Sequence, residues 1–424
     1  MINIINKIFK SRYRKNFYFL DFENLNKKTN IFKIFDLVSN FSDNSEIRYV
    51  GGITRKIINK ENIDDIDLAT NINPKILSEI FKKNKISFYE SGIEHGTITA
   101  KINDFKFEIT SLRKDTVTDG RHAKVEFTND WYADASRRDF TFNAIYADFY
   151  GNLYDPFNGK KDLENGIVKF IGDPEKRIKE DYLRILRYVR FYLNYSKVDH
   201  QEEIKKIIRQ NITGISKISS DRLLDELKKL VLSEGFIKLT KDKFCYEIIS
   251  LIFPQLVKID IFKNINNFSK KIIENKDFIF LVSLMIIDST DNSEYFIYKY
   301  NISNEDKKRI RFLSNVFSKN ENKDIFKEKN LSRVLYLNGR DYLNDLINFK
   351  IIKSKKIDEK LIQLKDFFNK KEVPNFEIKA KTLIEKYNYK EGKELGNKLK
   401  EIEEFWIKNS FKISEEELEK IVKN

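Results

Sequence analysis

Cysteine is almost absent from this chain of 424 residues, since Cys245 is the only one. A single thiol excludes an internal disulfide framework and a cysteine-rich zinc site. Its neighbours Phe244 and Tyr246 predict that the thiol is buried. Histidine is nearly as scarce, and the three histidines are His95, His122 and His200. They form no metal-ligand spacing, which leaves a histidine-based phosphohydrolase domain without visible ligands.

Long hydrophobic runs are also missing. The longest, Phe278 to Ile287, has about half of the ~20 apolar residues that a membrane span needs, and it predicts a buried helix. The N-terminal MINIINKIFKSRYRK is amphipathic and basic, but it lacks the apolar core and cleavage site of a signal peptide. These features predict a cytoplasmic protein with no membrane partner, and no obligate protein partner is evident.

Proline and glycine nearly vanish after Gly172-Asp173-Pro174, and a helical period of apolar residues runs from there to the C-terminus. Strand signals and turn residues dominate before that point. We therefore expect an α+β protein, with a small β-sheet head followed by an all-helical neck, body and tail. The expected divisions are a helical lead-in over 1–45, the head over 46–165, the neck over 166–240, the body over 241–330 and the tail over 331–424.

The head is expected to contain several short strands separated by turns. The predicted strands are Ile47–Val50, Ile63–Leu68, Thr97–Ile102, Phe105–Thr110 and Phe142–Asp148. Helices are predicted at Ile31–Ser39 and at Pro74–Asn84, with Asn73 as the N-cap of the second.

Positive charge is in excess, with a net charge of +14 and a pI of about 9.3. A basic surface favours a polyanionic partner. Lys, Asn, Ile, Phe and Tyr are all abundant, however, and AT-rich codons encode them. Genome composition is therefore an alternative source of part of the lysine excess, and the charge alone does not decide the function.

Two carboxylates follow a Gly-Gly turn in the segment GGITRKIINKENIDDIDLAT. Gly51 and Gly52 allow backbone N–H groups to approach an anion closely. Asp65 and Asp67 are two residues apart on a predicted strand and so share a face. Two such ligands together with substrate phosphates suit Mg²⁺. Either fragment alone is more often a plain turn or a solvated strand end, but together they favour nucleotidyl transfer.

Further charged groups follow in the head. If the strand that carries Glu108 lies beside Asp65 and Asp67, Glu108 is a third carboxylate that binds metal or accepts the proton of an attacking hydroxyl. A surface glutamate is an equally good interpretation. Arg137, Arg138 and Asp139 precede an apolar strand, and their guanidinium groups suit phosphate and ribose. The alternative is a mutually neutralising surface cluster.

The segment EDYLRILRYVRF predicts a helix with a basic ladder on one face, in which Asp181, Arg184, Arg187 and Arg190 recur every three residues. A carboxylate that accepts from an amino group beside a guanidinium that donates to a ring nitrogen fits cytosine and adenine. Uracil and guanine present carbonyl oxygens instead and would be rejected. The alternative is an ordinary amphipathic helix with an exposed ion pair.

These motifs together resemble the class II tRNA nucleotidyltransferases (CCA-adding enzymes) and the related bacterial poly(A) polymerases. The resemblance covers about Tyr49 to Leu230. It is carried in order by GG-x-x-R with DIDLAT, RRDFTFNA, DPFNGKKDL, EDYLRILRYVRF and ISSDRLLDEL. Two residues depart from the family pattern, since Lys56 replaces an aspartate and Asp221 replaces a glutamate.

The resemblance implies a nucleotidyltransferase head, a neck that selects the base and a tail that binds tRNA. It implies metal binding by Asp65 and Asp67, and catalysis with Mg²⁺. The implied nucleotide-binding residues are Gly51, Gly52, Arg55, Arg137, Arg138, Asp139, Asp181, Arg184, Arg187 and Arg190. Within the family, GIEHGTITA and the loop-like Lys114–Phe127 are similar to the versions that add CCA.

We therefore expect addition of CCA to tRNA from CTP and ATP. A poly(A) polymerase of the same superfamily would instead make long tails from ATP alone. An RNA-binding protein with an inactive head would bind tRNA without incorporating any nucleotide.

Overall fold

The structure is a computed structural model that describes residues 17–63, 65–115, 125–317, 323–354 and 357–423. The chain divides into two compact units, with the boundary between Ile252 and Phe253. The first unit contains the sheet, and the second is helical. The five-part division expected from the sequence is finer than this and stays a prediction.

Nine strands lie within the described residues of the first unit. They are β1 (Ile47–Val50), β2 (Ile66–Thr70), β3 (Ser87–Gly92), β4 (Thr97–Ile102), β5 (Phe105–Ser111), β6 (Arg113–Asp115), β7 (Val125–Phe127), β8 (Tyr146–Ala147) and β9 (Leu153–Tyr154). One sheet has the order β3-β4-β5-β2-β1-β8-β9, and β6 pairs with β7 separately. In the larger sheet β2 and β5 are parallel and the other neighbours are antiparallel.

Eleven α-helices of the first unit lie within the described residues. They are α1 (Phe19–Thr29), α2 (Phe32–Ser39), α3 (Gly52–Ile58), α4 (Pro74–Lys83), α5 (Trp131–Ser136), α6 (Gly159–Asn165), α7 (Pro174–Glu180), α8 (Leu183–Tyr195), α9 (Glu202–Asn211), α10 (Ser220–Val231) and α11 (Lys243–Ile252). Short 3₁₀ turns lie at Ile93–His95, Thr141–Asn143, Ile212–Lys217 and Glu234–Thr240. The N-cap of α4 is as predicted, since the Asn73 side chain accepts from the amide of Lys75 at 3.0 Å.

One face of the sheet packs against α1 to α4. Leu68 of β2 and Phe107 of β5 join Phe22, Ile34 and Leu77 in a single buried cluster. The lead-in helices therefore share a core with the head. Because side chains alternate along a strand, Asp67, which lies between Ile66 and Leu68, points to the opposite face. The core thus places the polar residues of β2 and β5 on the outer face of the sheet.

The predicted strand bounds hold for β1 and β4 and fail at two places. Strand β2 begins at Ile66 rather than Ile63, so Asp65 lies just before the strand. The strand predicted at Phe142–Asp148 is only Tyr146–Ala147, because Thr141–Asn143 form a 3₁₀ turn. In that turn the Asn143 side chain donates to Asp139 at 2.8 Å. This hydrogen bond stabilises the turn in place of an extended strand.

The second unit is built from helices. They are α12 (Asn267–Glu274), α13 (Phe278–Ile286), α14 (Asn292–Tyr300), α15 (Asn304–Phe317), α16 (Glu328–Asn338), α17 (Arg340–Lys353), α18 (Glu359–Lys370), α19 (Ala380–Tyr387), α20 (Lys393–Lys408) and α21 (Glu415–Lys423), with 3₁₀ turns at Ile259–Phe262 and Lys323–Phe326. Every residue of α13 is buried, as its apolar run predicts. Among the described helices, none has the length and apolar character to cross a membrane.

Gly159, the first residue of α6, supports a testable prediction about packing. A Cβ at this position would lie 2.1 Å from the carbonyl oxygen of Thr141. Backbone cannot move aside as a flexible side chain can, so we expect Gly159→Ala to destabilise the protein by roughly 1–3 kcal/mol. Differential scanning calorimetry would measure the change.

The matched control is Gly396→Ala in α20, where an added Cβ meets no atom within 4 Å. We expect the control to be neutral or to stabilise by roughly 0.5–1 kcal/mol, because glycine weakens a helix interior. Equal stability of the two variants would contradict the proposed close approach at Gly159.

Candidate active site

Asp65, Asp67 and Glu108 form a carboxylate cluster on the outer face of the sheet. Asp67 in β2 pairs in register with Glu108 in β5, so their side chains share a face. The pKa of Asp67 is raised to about 6, first by burial and then by repulsion from Glu108 and from Asp65. The charges of Arg138 and Arg55 offset only part of it. A cluster in which negative charge is under-compensated favours a cation.

The Gly-Gly turn lies directly against this cluster. Gly51 has a φ of +70°, a conformation that favours glycine. A Cβ on Gly51 or Gly52 would lie 3.9 or 3.8 Å from Asp67 Oδ2. The donor set therefore fits a hard divalent ion such as Mg²⁺, with carboxylates on one side and room for phosphate beside the turn.

Asp134 holds the two arginines of the RRD segment. It is 1 % exposed and pairs with Arg137 at 2.8 Å and with Arg138 at 3.0 Å. Tyr146 donates its hydroxyl to the same carboxylate at 2.7 Å. Burial alone would raise the pKa of Asp134, but the charges of Arg138 and Arg137 outweigh it and hold the pKa well below its usual range. Asp134 thus fixes both guanidinium groups.

Asp139 connects the head to α8. Its carboxylate pairs with Arg187 at 2.6 Å and accepts from Asn143 and from the Phe140 amide at 2.8 and 2.9 Å. Burial acts to raise the pKa of Asp139, but the charge of Arg187 and these hydrogen bonds lower it to about 2. Asp139 is therefore ionised, and its carboxylate is held by Arg187, Asn143 and the Phe140 amide.

Arg55 and Arg190 also form contacts with neighbouring side chains. Arg55 is buried, donates to Tyr195 at 3.1 Å and to the Asn143 side chain, and lies over the Phe191 ring. Arg190 pairs with the buried Glu226 of α10. These contacts set the inner wall of a cleft.

The helix predicted over Glu180–Phe191 is interrupted, which corrects the expected placement of Asp181. Helix α7 ends at Glu180, and Asp181 is extended with φ −153° and ψ 102°. Its carboxylate accepts from the Leu183 amide at 3.2 Å and pairs with Arg222 at 2.7 Å. Arg184 lies on α8 and pairs with Glu180 at 2.8 Å. Asp181 and Arg184 therefore do not share a helix face, and each contacts another partner.

One cleft of about 1560 Å³ gathers nearly all of these groups. The predicted site residues that line it are Gly51, Gly52, Arg55, Asp65, Asp67, Arg137, Arg138, Asp139, Asp181, Arg184, Arg187 and Arg190. Basic side chains outnumber acidic ones in the lining, with Lys56, Lys60, Lys197, Arg222, Lys229 and Lys238 among them. Glu108 lies beside Asp67 in the sheet, outside that lining. Such a cleft suits a polyanionic ligand with a metal at one end.

Comparison with known proteins agrees with a site for a polyanionic ligand and a metal. Residues 47–169 match a family model described as the Poly A polymerase head domain. The human protein "CCA tRNA nucleotidyltransferase 1, mitochondrial" is 34 % identical over 396 residues, which are 90 % of this chain and 87 % of that protein. The chain belongs to the CCA tRNA nucleotidyltransferase family. It is therefore a nucleotidyltransferase, and the RNA-binding protein with an inactive head is the wrong hypothesis.

Solved structures of CCA-adding enzymes have the same fold. The Bacillus stearothermophilus CCA-adding enzyme in complex with CTP aligns with a TM-score of 0.68 and 19 % identity, covering 89 % of this chain and 93 % of that one. The Thermotoga maritima CCA-adding enzyme complexed with tRNA_CCA gives 0.58 and 19 %, with coverage of 93 % and 95 %. The α+β prediction, with a sheet-containing head followed by helices, is confirmed.

In this CCA tRNA nucleotidyltransferase family member, the sequence-based predictions missed the side chains that form ion pairs with the site residues and so fix their positions. Asp134 stands three and four positions before Arg137 and Arg138, a helical spacing that was available as a signal. Glu226 and Arg222 lie within ISSDRLLDEL, but nothing local predicts their long-range partners. The loop prediction over Lys114–Phe127 is wrong at both ends, which belong to the paired strands β6 and β7; residues 116–124 lie outside the described part of the chain.

The raised pKa of Asp67 predicts a pH-dependent gain in stability for Asp67→Asn. In the metal-free protein the ionised carboxylate opposes folding above pH about 6, because its pKa is raised from 3.8 to about 6. At pH about 7.5 the variant should therefore be more stable by roughly 1–3 kcal/mol. The gain should shrink as the pH falls through 6 and disappear below the unfolded-state pKa of 3.8, where the wild-type carboxyl is neutral in both states.

Calorimetry in chelator-treated buffer would measure this difference, with the exposed Asp43→Asn as control. The control should show no comparable gain at either pH. Lower stability of Asp67→Asn at pH about 7.5 would contradict an under-compensated carboxylate.

Proposed function

We propose that this enzyme adds the 3′-terminal CCA to tRNA without a nucleic-acid template, using CTP and ATP as substrates and Mg²⁺ as cofactor. The observation that carries the proposal is the carboxylate cluster at one end of a basic cleft that also contains Asp181 and Arg184. The CCA-adding names of the related proteins favour this reaction over poly(A) synthesis. A cytoplasmic location stays a prediction, since the human relative is named as mitochondrial.

The chemistry would take place at the carboxylates. Asp65 and Asp67 would hold the divalent ion, which supplies Lewis-acid activation of the 3′-hydroxyl and the α-phosphate. The raised pKa of Asp67 means that metal binding must displace a proton at pH values below about 6. Glu108 would add negative charge there, or accept the proton of the attacking hydroxyl.

The triphosphate would lie between the Gly-Gly turn and the arginines. Gly52 would offer backbone to the phosphates, and Arg138 lies on the same side, 3.8 Å from the position of a Cβ on Gly51. Arg55, Arg137, Arg187 and Arg190 would act by their positive potential in the cleft, and Asp139 would act by holding Arg187. Fixed guanidinium groups stabilise charge on the leaving pyrophosphate without reorganisation.

Asp181 and Arg184 would read the base. Arg184 uses Nη1 for both its bond to Glu180 and its bond to the carbonyl of Arg177, at 2.8 and 2.6 Å. Its remaining N–H groups lie on another edge of the guanidinium. Asp181 retains acceptor lone pairs beyond those used by Leu183 and Arg222. A carboxylate and a guanidinium so placed fit the amino group and ring nitrogen of cytosine or adenine.

The domain roles belong to the same proposal. The head over 46–165 would catalyse, the neck over 166–240 would select the base, and the basic tail over 331–424 would bind the tRNA backbone. Binding of this kind is strongly salt-dependent.

A tRNA that ends at the discriminator base tests the reaction. With Mg²⁺, we expect growth by two residues with CTP alone and by three with CTP and ATP together, and no growth with Asp65→Ala. Denaturing gels of labelled products would measure it. A long ladder from ATP alone would contradict the proposal and favour a poly(A) polymerase.

Arg184→Ala tests base selection separately from catalysis. We expect the preference for CTP and ATP over UTP and GTP to fall by roughly tenfold or more, because a bidentate base contact is worth about 1–3 kcal/mol. Relative kcat/KM for the four nucleotides would measure the change. The control is Arg209→Ala, an exposed arginine that pairs with Glu247 at 2.7 Å. An unchanged preference in Arg184→Ala would exclude its role in base reading.

A further inference from the structure

His200, Asp242 and Cys245 converge in the first unit, away from the residues that line the cleft. Nε2 of His200 lies 3.1 Å from Asp242 Oδ2 and 3.7 Å from Cys245 Sγ. One ligand atom from each residue lies within 4.8 Å of the other two. His200 precedes the others by 42 and 45 positions. That interval explains why sequence spacing did not indicate that His200 lies beside a carboxylate and a thiol.

The distances match those between ligands of a tetrahedral ion. Zinc binds thiolate at about 2.3 Å, imidazole at about 2.0–2.1 Å and carboxylate at about 2.0–2.2 Å. At tetrahedral angles, neighbouring ligand atoms are then roughly 3.3–3.6 Å apart. The observed separations of 3.1 and 3.7 Å lie on either side of that range. A bound ion would need only small side-chain movements.

The surrounding contacts already hold the ligands in place. The Tyr188 hydroxyl lies 3.0 Å from His200 Nδ1, and the Tyr192 ring stacks on the imidazole with centroids 3.4 Å apart. Metal-bound histidine ordinarily makes such a bond through its second nitrogen. Asp242 Oδ1 accepts from the Cys245 amide at 2.8 Å, and both carboxylate oxygens of Asp242 lie near His200 Nε2, at 3.2 and 3.1 Å.

The same geometry excludes a nucleophilic cysteine. In a Cys-His-Asp catalytic arrangement the thiol and the carboxylate contact different nitrogens of the ring. Here both contact Nε2. Cys245 is also fully buried, and burial together with the charge of Asp242 raises the pKa of its thiol. A thiolate at this position therefore requires a directly bound cation.

We propose that His200, Asp242 and Cys245 bind one zinc-class divalent ion, at a structural site separate from Asp65 and Asp67. A mixed nitrogen, oxygen and sulfur set favours zinc over magnesium. On binding, the Cys245 thiol releases its proton to solvent and forms a metal–sulfur bond. In the complex a neutral His200 binds through Nε2 and carries its proton on Nδ1, so the imidazole releases no proton and the thiol releases one per ion. Water enters as the fourth ligand past Asp242, whose side chain is 22 % exposed.

Such a site would join α8 to the start of α11. Tyr188 of α8 contacts His200, and Asp242 and Cys245 lie at the first turn of α11. Helix α8 also carries Arg184, Arg187 and Arg190 of the cleft. The ion would therefore brace the helix that presents the cleft arginines.

Cobalt titration of the chelator-stripped, full-length protein tests the proposal. We expect a near-ultraviolet thiolate-to-cobalt band together with the visible absorption of tetrahedral Co²⁺, both removed by added Zn²⁺. Because Cys245 is the only cysteine in the chain, the thiolate band can arise only there. Protein purified from zinc-supplemented medium should retain about one zinc per chain by mass spectrometry, the number expected for a single mononuclear site.

Variants separate this site from the catalytic one. Cys245→Ser and His200→Asn should lose the thiolate band, whereas the exposed His95→Asn and the double variant Asp65→Asn/Asp67→Asn should keep it. A folded wild-type protein with neither retained zinc nor a thiolate band would overturn the proposal and leave a hydrogen-bonded cluster. A band that persists in His200→Asn would also overturn it. The wild-type titration decides the question even if Cys245→Ser does not fold.

Discussion

The ion pair between Asp139 and Arg187 joins the segment before strand β8 to helix α8, and both residues line the cleft. Asp139 is buried and Arg187 is partly buried, so removing Arg187 would leave an uncompensated buried carboxylate. Asn143 and the Phe140 amide satisfy the remaining acceptor capacity of Asp139. Arg187 also lies 4.0 Å from Glu226, which pairs in turn with Arg190. Alternating charges therefore fix the arginines of α8 relative to the sheet before any ligand binds.

Carboxylates of this one region have pKa values shifted in opposite directions. Asp134 and Asp139 each face arginines at hydrogen-bonding distance, and their pKa values are lowered although burial opposes it. Asp67 faces Glu108 and Asp65, and its pKa is raised. The first two are neutralised by the protein and serve to position cations. Asp67 has a deficit of positive charge, so the direction of the shift separates the carboxylates that the protein neutralises from the one proposed to bind a divalent ion.

Local sequence patterns predicted several elements of secondary structure and the residues that line the cleft. They did not predict which of those residues form ion pairs with each other or with other side chains. β1 and β4 have the expected bounds, and Asn73 caps α4, because alternation and capping are properties of neighbouring residues. The motif residues meet in one cleft because the fold has the expected class. The partners of Asp139 and Arg190 lie 48 and 36 positions away, at distances where the sequence carries no periodic signal. Glu108 was predictable only conditionally, since its role required β5 to lie beside β2.

The break between α7 and α8 has a functional consequence that an unbroken helix would not allow. On one helix face, Asp181 and Arg184 would pair with each other, and a base could bind only after that pair separated. In the structure each is anchored from outside the pair, Asp181 by Arg222 and Arg184 by Glu180. Both are thus ordered without neutralising each other, so less ordering cost falls on the binding step. The helix prediction was wrong at Asp181, and the break found there keeps Asp181 and Arg184 from pairing with each other, as their proposed role in base reading requires.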